Sequence, residues 1–203
     1  MGQRAAVRAV AAARPPFSFS RREQSRCGQS VKGRKGVARR FRGEYHQKVD
    51  TKGRVSIPAL FRRVIEAADP DHTEGLRPNL VIVYGTTTQK QLDCYTIEAI
   101  DEIDRRIDRM KPGSIERKML ERIYHGHSLP AQVDEDGRIV LPAKLRDKIG
   151  LDKEAFFIAS GDHFEIWKPE TYEAEEIVLA EEWLDQQEEG FDPRTLLPDL
   201  PEN

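Results

Sequence analysis

Val49-Asp50-Thr51-Lys52-Gly53-Arg54-Val55-Ser56-Ile57-Pro58 returns 84 positions later as Val133-Asp134-Glu135-Asp136-Gly137-Arg138-Ile139-Val140-Leu141-Pro142. Over residues 49–65 and 133–149, eight of 17 positions are identical, so the chain is built on an internal duplication. Two copies are too few for a solenoid and suit two like halves packed about a pseudo-twofold. Each copy reads as strand, tight turn, strand, then a helix opening at Pro. Gly53 can take the left-handed conformation that closes a three-residue loop, and Asp50 can bond turn N–H groups. With Thr51-Lys52-Gly53 as the loop, Asp50 and Arg54 face each other across it and can pair. Asp134 and Arg138 stand in the matching positions, so each copy can hold a structural ion pair.

Further out, Pro58 fits the first turn of a helix. Leu60, Phe61, Val64 and Ile65 make its apolar face, and Arg62, Arg63 and Glu66 its wet face. Asp69-Pro70 stops it. Asn79–Tyr84 reads as a strand buried on both faces, with Leu92–Tyr95 returning. Thr96 and Ser114 are N-caps of two helices. Ile100, Ile103, Ile107 and Met110 form an apolar stripe on the first, and Ile115, Met119 and Ile123 face inward on the second. Both stripes read as core or subunit contact. The second copy repeats the plan: Ser128–Val133 and Arg138–Leu141 form its hairpin, Ala143–Ile149 its helix. Glu154–Ala159 and His163–Trp167 pair around Ser160-Gly161-Asp162, and Pro169 starts a last helix.

An Asp-x-x-x-Arg hairpin before a Pro-started helix, present twice, resembles the MraZ family of bacterial transcription regulators. Phe41-Arg42-Gly43 and Gly126-His127 add to the match, which runs from about Phe41 to about Tyr172. The resemblance implies an α+β fold: two tandem AbrB-like (SpoVT-AbrB) swapped-hairpin units, β-barrel-like and related by a pseudo-twofold, with flanking helices. It places the first unit at 41–111 and the second at 112–185. It further implies rings of several subunits that bind short direct repeats in the promoter of a division and cell-wall operon, with repression of that operon.

Charge divides the chain. Residues 1–40 hold 11 Arg or Lys and one acid, Glu23. That composition fits a transit segment, a disordered basic arm adding non-specific DNA affinity, or sequence upstream of a true start at Val37. Residues 170–203 carry 12 acids and one base, Arg194; from about 186 the composition predicts disorder. No apolar run nears the roughly 20 residues of a membrane span, and the family resemblance implies a cytoplasmic, nucleoid-associated protein. Cys27 and Cys94 read as free thiols.

The two turns differ in sign. Lys48, Asp50, Lys52 and Arg54 sum to +2, whereas Asp134, Glu135, Asp136 and Arg138 sum to −2. Phosphate contacts dominate protein–DNA affinity and need cations. The first turn is therefore the expected DNA contact, led by Arg54, with Lys52, Arg42 and Lys48 in support and Arg62 and Arg63 as weaker candidates. Asp50, Asp134 and Arg138 are assigned to holding the turns. No cofactor or metal is expected. Arg138 and Leu145 occupy ligand positions a calcium loop needs, and His125-Gly126-His127 has no third ligand at a recognised spacing. No catalytic motif is present, so the chain reads as a non-enzyme. Two other functions fit the fold class: an antitoxin-like interaction module, and a nucleoid protein with little sequence preference.

Overall fold

A computed structural model describes residues 40–73 and 75–198. The basic segment before Arg40, with Cys27, lies outside the described residues. Eight strands follow in order: β1 (Glu44–Lys48), β2 (Arg54–Ser56), β3 (Asn79–Val83), β4 (Gln91–Thr96), β5 (Ser128–Gln132), β6 (Arg138–Val140), β7 (Glu154–Ser160) and β8 (His163–Trp167). Helices α1 (Ala59–Ala67), α2 (Ile97–Asp108), α3 (Ile115–Glu121) and α4 (Ala143–Lys148) lie between them. A helical run then opens at Pro169 and includes α5 (Pro169–Tyr172) and α6 (Val178–Asp185).

The strands form a six-stranded antiparallel sheet in the order β1-β7-β8-β4-β3-β5, and a two-stranded ribbon of β2 and β6. The two halves exchange strands. β1 of the first half pairs with β7 of the second, and β5 of the second pairs with β3 of the first. The β2–β6 register is symmetric about Val55 opposite Ile139, the same position in each repeat. The hydrogen bonds at its ends match too: Ile57 N donates to Gly137 O at 2.9 Å and Leu141 N to Gly53 O at 2.8 Å. Exchanging β1–β4 with β5–β8 therefore leaves the pairing pattern unchanged.

The expected hairpins are thus only locally hairpins. Each turn closes, but in the first the arms share a single bridge, Val49 with Val55, before they part to different sheets. Among the described residues the barrel-like closure expected of the units is absent. β2 and β6 have three residues each and pair with one another, so that among the described residues β1 and β5 are the edges of the larger sheet.

One apolar core fills the space between the ribbon, α1, α4 and one sheet face. Phe61, Ile65, Leu80, Ile82, Leu92, Ile139, Leu141, Phe157, Phe164 and Ile166 are fully buried in it. Phe41 packs edge-on against Phe61 and Phe164, with centroids 5.2 Å from each, and so ties the start of the described chain to both halves. Cys94 is buried here, and burial pushes its thiol well above the usual range. A smaller cluster of Val83, Tyr95 and Ile100 seats α2 on the opposite sheet face. Thr96 and Ser114 cap α2 and α3 by accepting from Ala99 N and Arg117 N, each at 3.2 Å.

Several local expectations are corrected. Pro58 is the N-cap of α1 and the helix begins at Ala59. Leu60 is exposed, so the buried face of α1 is Phe61, Val64 and Ile65. On α3, Ile115 is 69% exposed and Met119 39%; the apolar residues that pack on the small cluster, Ile123 and Tyr124, lie just after the helix. Arg62, expected on a wet face, is half-buried beneath the second turn. Beyond α6, Asp192 caps a short 3₁₀ turn at Pro193–Leu196 by accepting from Arg194 N at 3.0 Å.

Candidate nucleic-acid interface

The two repeated turns share one backbone device. Asp50 Oδ1 accepts from Lys52 N at 2.8 Å and Arg54 N at 2.9 Å. Asp134 Oδ1 accepts from Asp136 N at 3.0 Å and Arg138 N at 2.8 Å. Gly53 and Gly137 close the turns at φ +78° and +75°, a region that costs an L side chain free energy. An aspartate at the first position and a glycine at the fourth thus suffice to shape both loops.

The side chains diverge. Arg54 Nε donates to Asp50 Oδ2 at 2.6 Å, which is the expected ion pair. Three hydrogen-bond donors from Arg54 and Lys52 hold the Asp50 carboxyl down at about 2. Asp50 in turn makes the Arg54 guanidinium a weaker acid than usual, with Asp134 and Asp136 adding to the field. The corresponding Asp134–Arg138 ion pair does not form: Arg138 Nη1 instead lies 3.2 Å from Asp136 Oδ2. Asp136 stands where the first turn has Lys52, and it competes for the guanidinium.

Alternation along the ribbon sends Val55 and Ile139 into the core and leaves Arg54, Ser56, Arg138 and Val140 on its outer face. Arg54 lies opposite Val140, and Arg138 opposite Ser56. Two arginines therefore sit diagonally on one face of a two-stranded ribbon, an element that a DNA major groove admits. Asp50 holds Arg54 through Nε alone. Both Nη groups have no partner among the described residues, and these are the atoms that meet guanine or phosphate in a bidentate contact.

Lys52 is exposed at the tip of the first turn, and Lys48 is exposed at the end of β1 that enters it. Neither forms an ion pair among the described residues. Arg42 is exposed but not part of this cluster. It lies at the other end of β1, where Phe41 N bonds Gly161 O and Gly43 O accepts from Ala159 N, about 20 Å of strand from the turn. Arg63 is exposed on α1.

Three basic residues near the turns were not singled out or were placed differently. Arg146 on α4 lies beside Gly53, its Nε donating to Leu141 O at 3.1 Å, and adds positive charge to the first turn. Its counterpart Arg62 packs against Gly137 with its Nε buried and without a partner. Arg77 Nη2 binds Glu135 Oε1 at 2.7 Å. Two acids of the second turn are thus met from the protein itself, Glu135 by Arg77 and Asp136 by Arg138, whereas Arg54 in the first turn keeps free donors among the described residues. The identity of Arg62 and Arg146 within the repeat was a sequence signal for their shared role.

The histidines near the second repeat are used internally. His125 Nε2 lies 3.0 Å from Asp104 Oδ1, and His127 Nδ1 lies 2.8 Å from Gly85 O, with its ring stacked on Tyr84. Among the described residues no helix is long and apolar enough to cross a membrane.

A family profile described as "MraZ protein, putative antitoxin-like" matches residues 126–193. The chain is similar to the transcriptional regulator MraZ of Ruegeria pomeroyi, at 63% identity over 161 residues, which cover 79% of this chain and 96% of that protein. The protein of the same name from Ruegeria sp. is 62% identical over the same shares. That of Rickettsia canadensis is 33% identical over 133 residues, covering 66% of this chain and 84% of the relative.

Proposed function

The chain belongs to the MraZ family, and from that premise we propose that it is a transcriptional regulator, not an enzyme, which meets duplex DNA with the outer face of its β2–β6 ribbon and its first turn. The observation that carries this reading is the pairing of Arg54 with Asp50 through Nε only, on an exposed ribbon face flanked by Lys52 and Lys48. Asp50 fixes the guanidinium and leaves its Nη edge free, so less rotamer entropy is lost on contact. Lys52, Lys48 and Arg146 would contact phosphates, and Arg54 a guanine or a phosphate. Arg42 is too distant for the same contact and would serve a neighbouring stretch of backbone.

The exchange of β1 and β5 between halves supports reading 41–111 and 112–185 as two copies of an AbrB-like swapped-hairpin unit, with 186–203 as an acidic tail. The family resemblance supplies the larger picture: a homo-oligomeric ring at promoter direct repeats, repressing its own division and cell-wall operon. A ring joined head to tail offers the same face repeatedly in one sense, as direct repeats require, whereas a twofold dimer suits palindromes. This function would be exercised on the nucleoid in the cytoplasm.

The test is binding of the full chain to DNA from upstream of its own gene, across a salt series, with a scrambled duplex as competitor. Specific binding that weakens steeply with salt and is lost in Arg54→Ala supports the proposal. Equal affinity for both duplexes would favour a non-specific nucleoid protein. The antitoxin-like reading has one observation behind it: the acidic helical run after Pro169 exposes Leu179, Trp183 and Leu184. Failure to bind either duplex would move the weight to that surface.

A further inference from the structure

The sheet face turned away from the main core carries Asp93 and Tyr95 on β4 and His163, Glu165 and Trp167 on β8. Asp93 stands opposite Glu165, and Tyr95 opposite His163. We propose that Asp93, His163 and Glu165 form a binding site for a divalent cation of the zinc class. One ligand atom from each of the three lies within 4.8 Å of the others.

The second layer of contacts is what distinguishes this trio from a chance cluster of polar groups. Gln89 Nε2 donates to Asp93 Oδ2 at 3.0 Å, and Asp93 Oδ1 is left buried with no partner among the described residues. Trp167 Nε1 donates to Glu165 Oε2 at 2.8 Å, which leaves Oε1 free. Asp162 Oδ1 lies 3.0 Å from His163 Nδ1. A carboxylate can only accept, so Nδ1 carries the proton and Nε2 is the atom available to a metal. That Nε2 is 3.8 Å from Glu165 Oε1, beyond a hydrogen bond and close to the separation of two ligands on one ion. Tyr95 stacks on the imidazole at 4.7 Å and fixes the ring plane. Each candidate ligand therefore has one atom held by a neighbour and one atom free, which is how protein metal ligands are oriented.

Two carboxylates and an imidazole suit zinc or a similar first-row ion. Because Asp93 belongs to the first half and His163 and Glu165 to the second, a bound ion would cross-link the two halves at the centre of the large sheet. With no ion bound, a protonated His163 would itself supply the positive charge between the two carboxylates.

The experiment is titration of the chelator-treated full chain with Zn²⁺, read by calorimetry and by melting temperature. One equivalent per chain, with a raised Tm, is expected. Asp93→Asn, His163→Gln and Glu165→Gln should each weaken binding at least tenfold. Asp162→Ala, which removes the acceptor for Nδ1, should weaken it about ten- to a hundredfold while the circular dichroism spectrum is unchanged. Binding that is absent, or that any of the three ligand variants retains at wild-type affinity, overturns the proposal and leaves His163 as an internal counter-charge.

Discussion

The first and second turns have nearly superimposable hydrogen bonding and opposite chemistry. In both, an aspartate at the start accepts the backbone N–H groups two and four residues on, and a glycine with positive φ closes the loop. Between those fixed points, Thr51-Lys52 in one turn is replaced by Glu135-Asp136 in the other. The comparison separates what shapes a loop from what it presents. Asp and Gly specify the backbone, and the two residues between them set the electrostatics without disturbing it. Two acids of the second turn are then paired from within, Glu135 with Arg77 and Asp136 with Arg138, while the basic turn faces outward.

The largest test of this comparison is steric. A Cβ at Gly53 would meet the backbone carbonyl of Leu141, which cannot move without breaking the ribbon. At Gly137 the obstacle is the end of the flexible Arg62 side chain. Gly53→Ala should lower unfolding free energy by roughly 3 kcal/mol and Gly137→Ala by about 1–2 kcal/mol, read by chemical denaturation. Equal losses would mean that the turns are alike in packing as well as in hydrogen bonding.

Next comes binding. Arg54→Ala should reduce affinity for the upstream duplex roughly ten- to a hundredfold with folding intact. Arg138→Ala should reduce it less, because Asp136 already engages that guanidinium, and should act mainly on stability. A gel-shift series in which Arg138→Ala is the weaker binder, at equal folding, would reverse the assignment of the two turns.

A charge exchange sharpens the same contrast. Lys52→Asp should weaken binding several-fold, and Asp136→Lys should strengthen it, with the slope of log affinity against log salt changing by about one per charge. No response at Asp136 would show that the second turn stays clear of the phosphates. The smallest effect concerns acid. The Asp50 carboxyl titrates lower in the folded chain than in the unfolded one, at about 2 against 3.8. Its contribution to stability is therefore complete above about pH 4 and is lost as the pH falls through about 2. Asp50→Asn should flatten that part of the acid-unfolding curve, and an unchanged curve would show that the Asp50–Arg54 contact adds nothing measurable.

Local features were legible in the residues: the duplication, both turns, the Thr96 and Ser114 caps, the strands and the order of elements. The Arg54–Asp50 pair was legible because its partners lie four residues apart across one turn. Strand partners were not. Nothing local in Glu44–Lys48 says that it will lie beside Glu154–Ser160 instead of its own turn partner, since both choices satisfy the same alternation. The shared outer face of Arg54 and Arg138 depends on the β2–β6 register and was hidden for the same reason. Arg62 was misplaced because a polar residue on a helix reads as solvated until the element above it is known. Ile115 and Met119 were misplaced because an apolar stripe shows which face is buried only if something covers it.

The crossing-over of β1 and β5 has a kinetic side. During synthesis β1 leaves the ribosome about 110 residues ahead of β7, its neighbour in the large sheet among the described residues. Until then the nascent chain holds an unsatisfied strand edge, open to the same edge on another copy. Folding is thus set by distant pairing and should be slow for a chain of this size, and a fragment ending near residue 111 would be expected to dimerise by supplying in trans what the missing half supplies in cis.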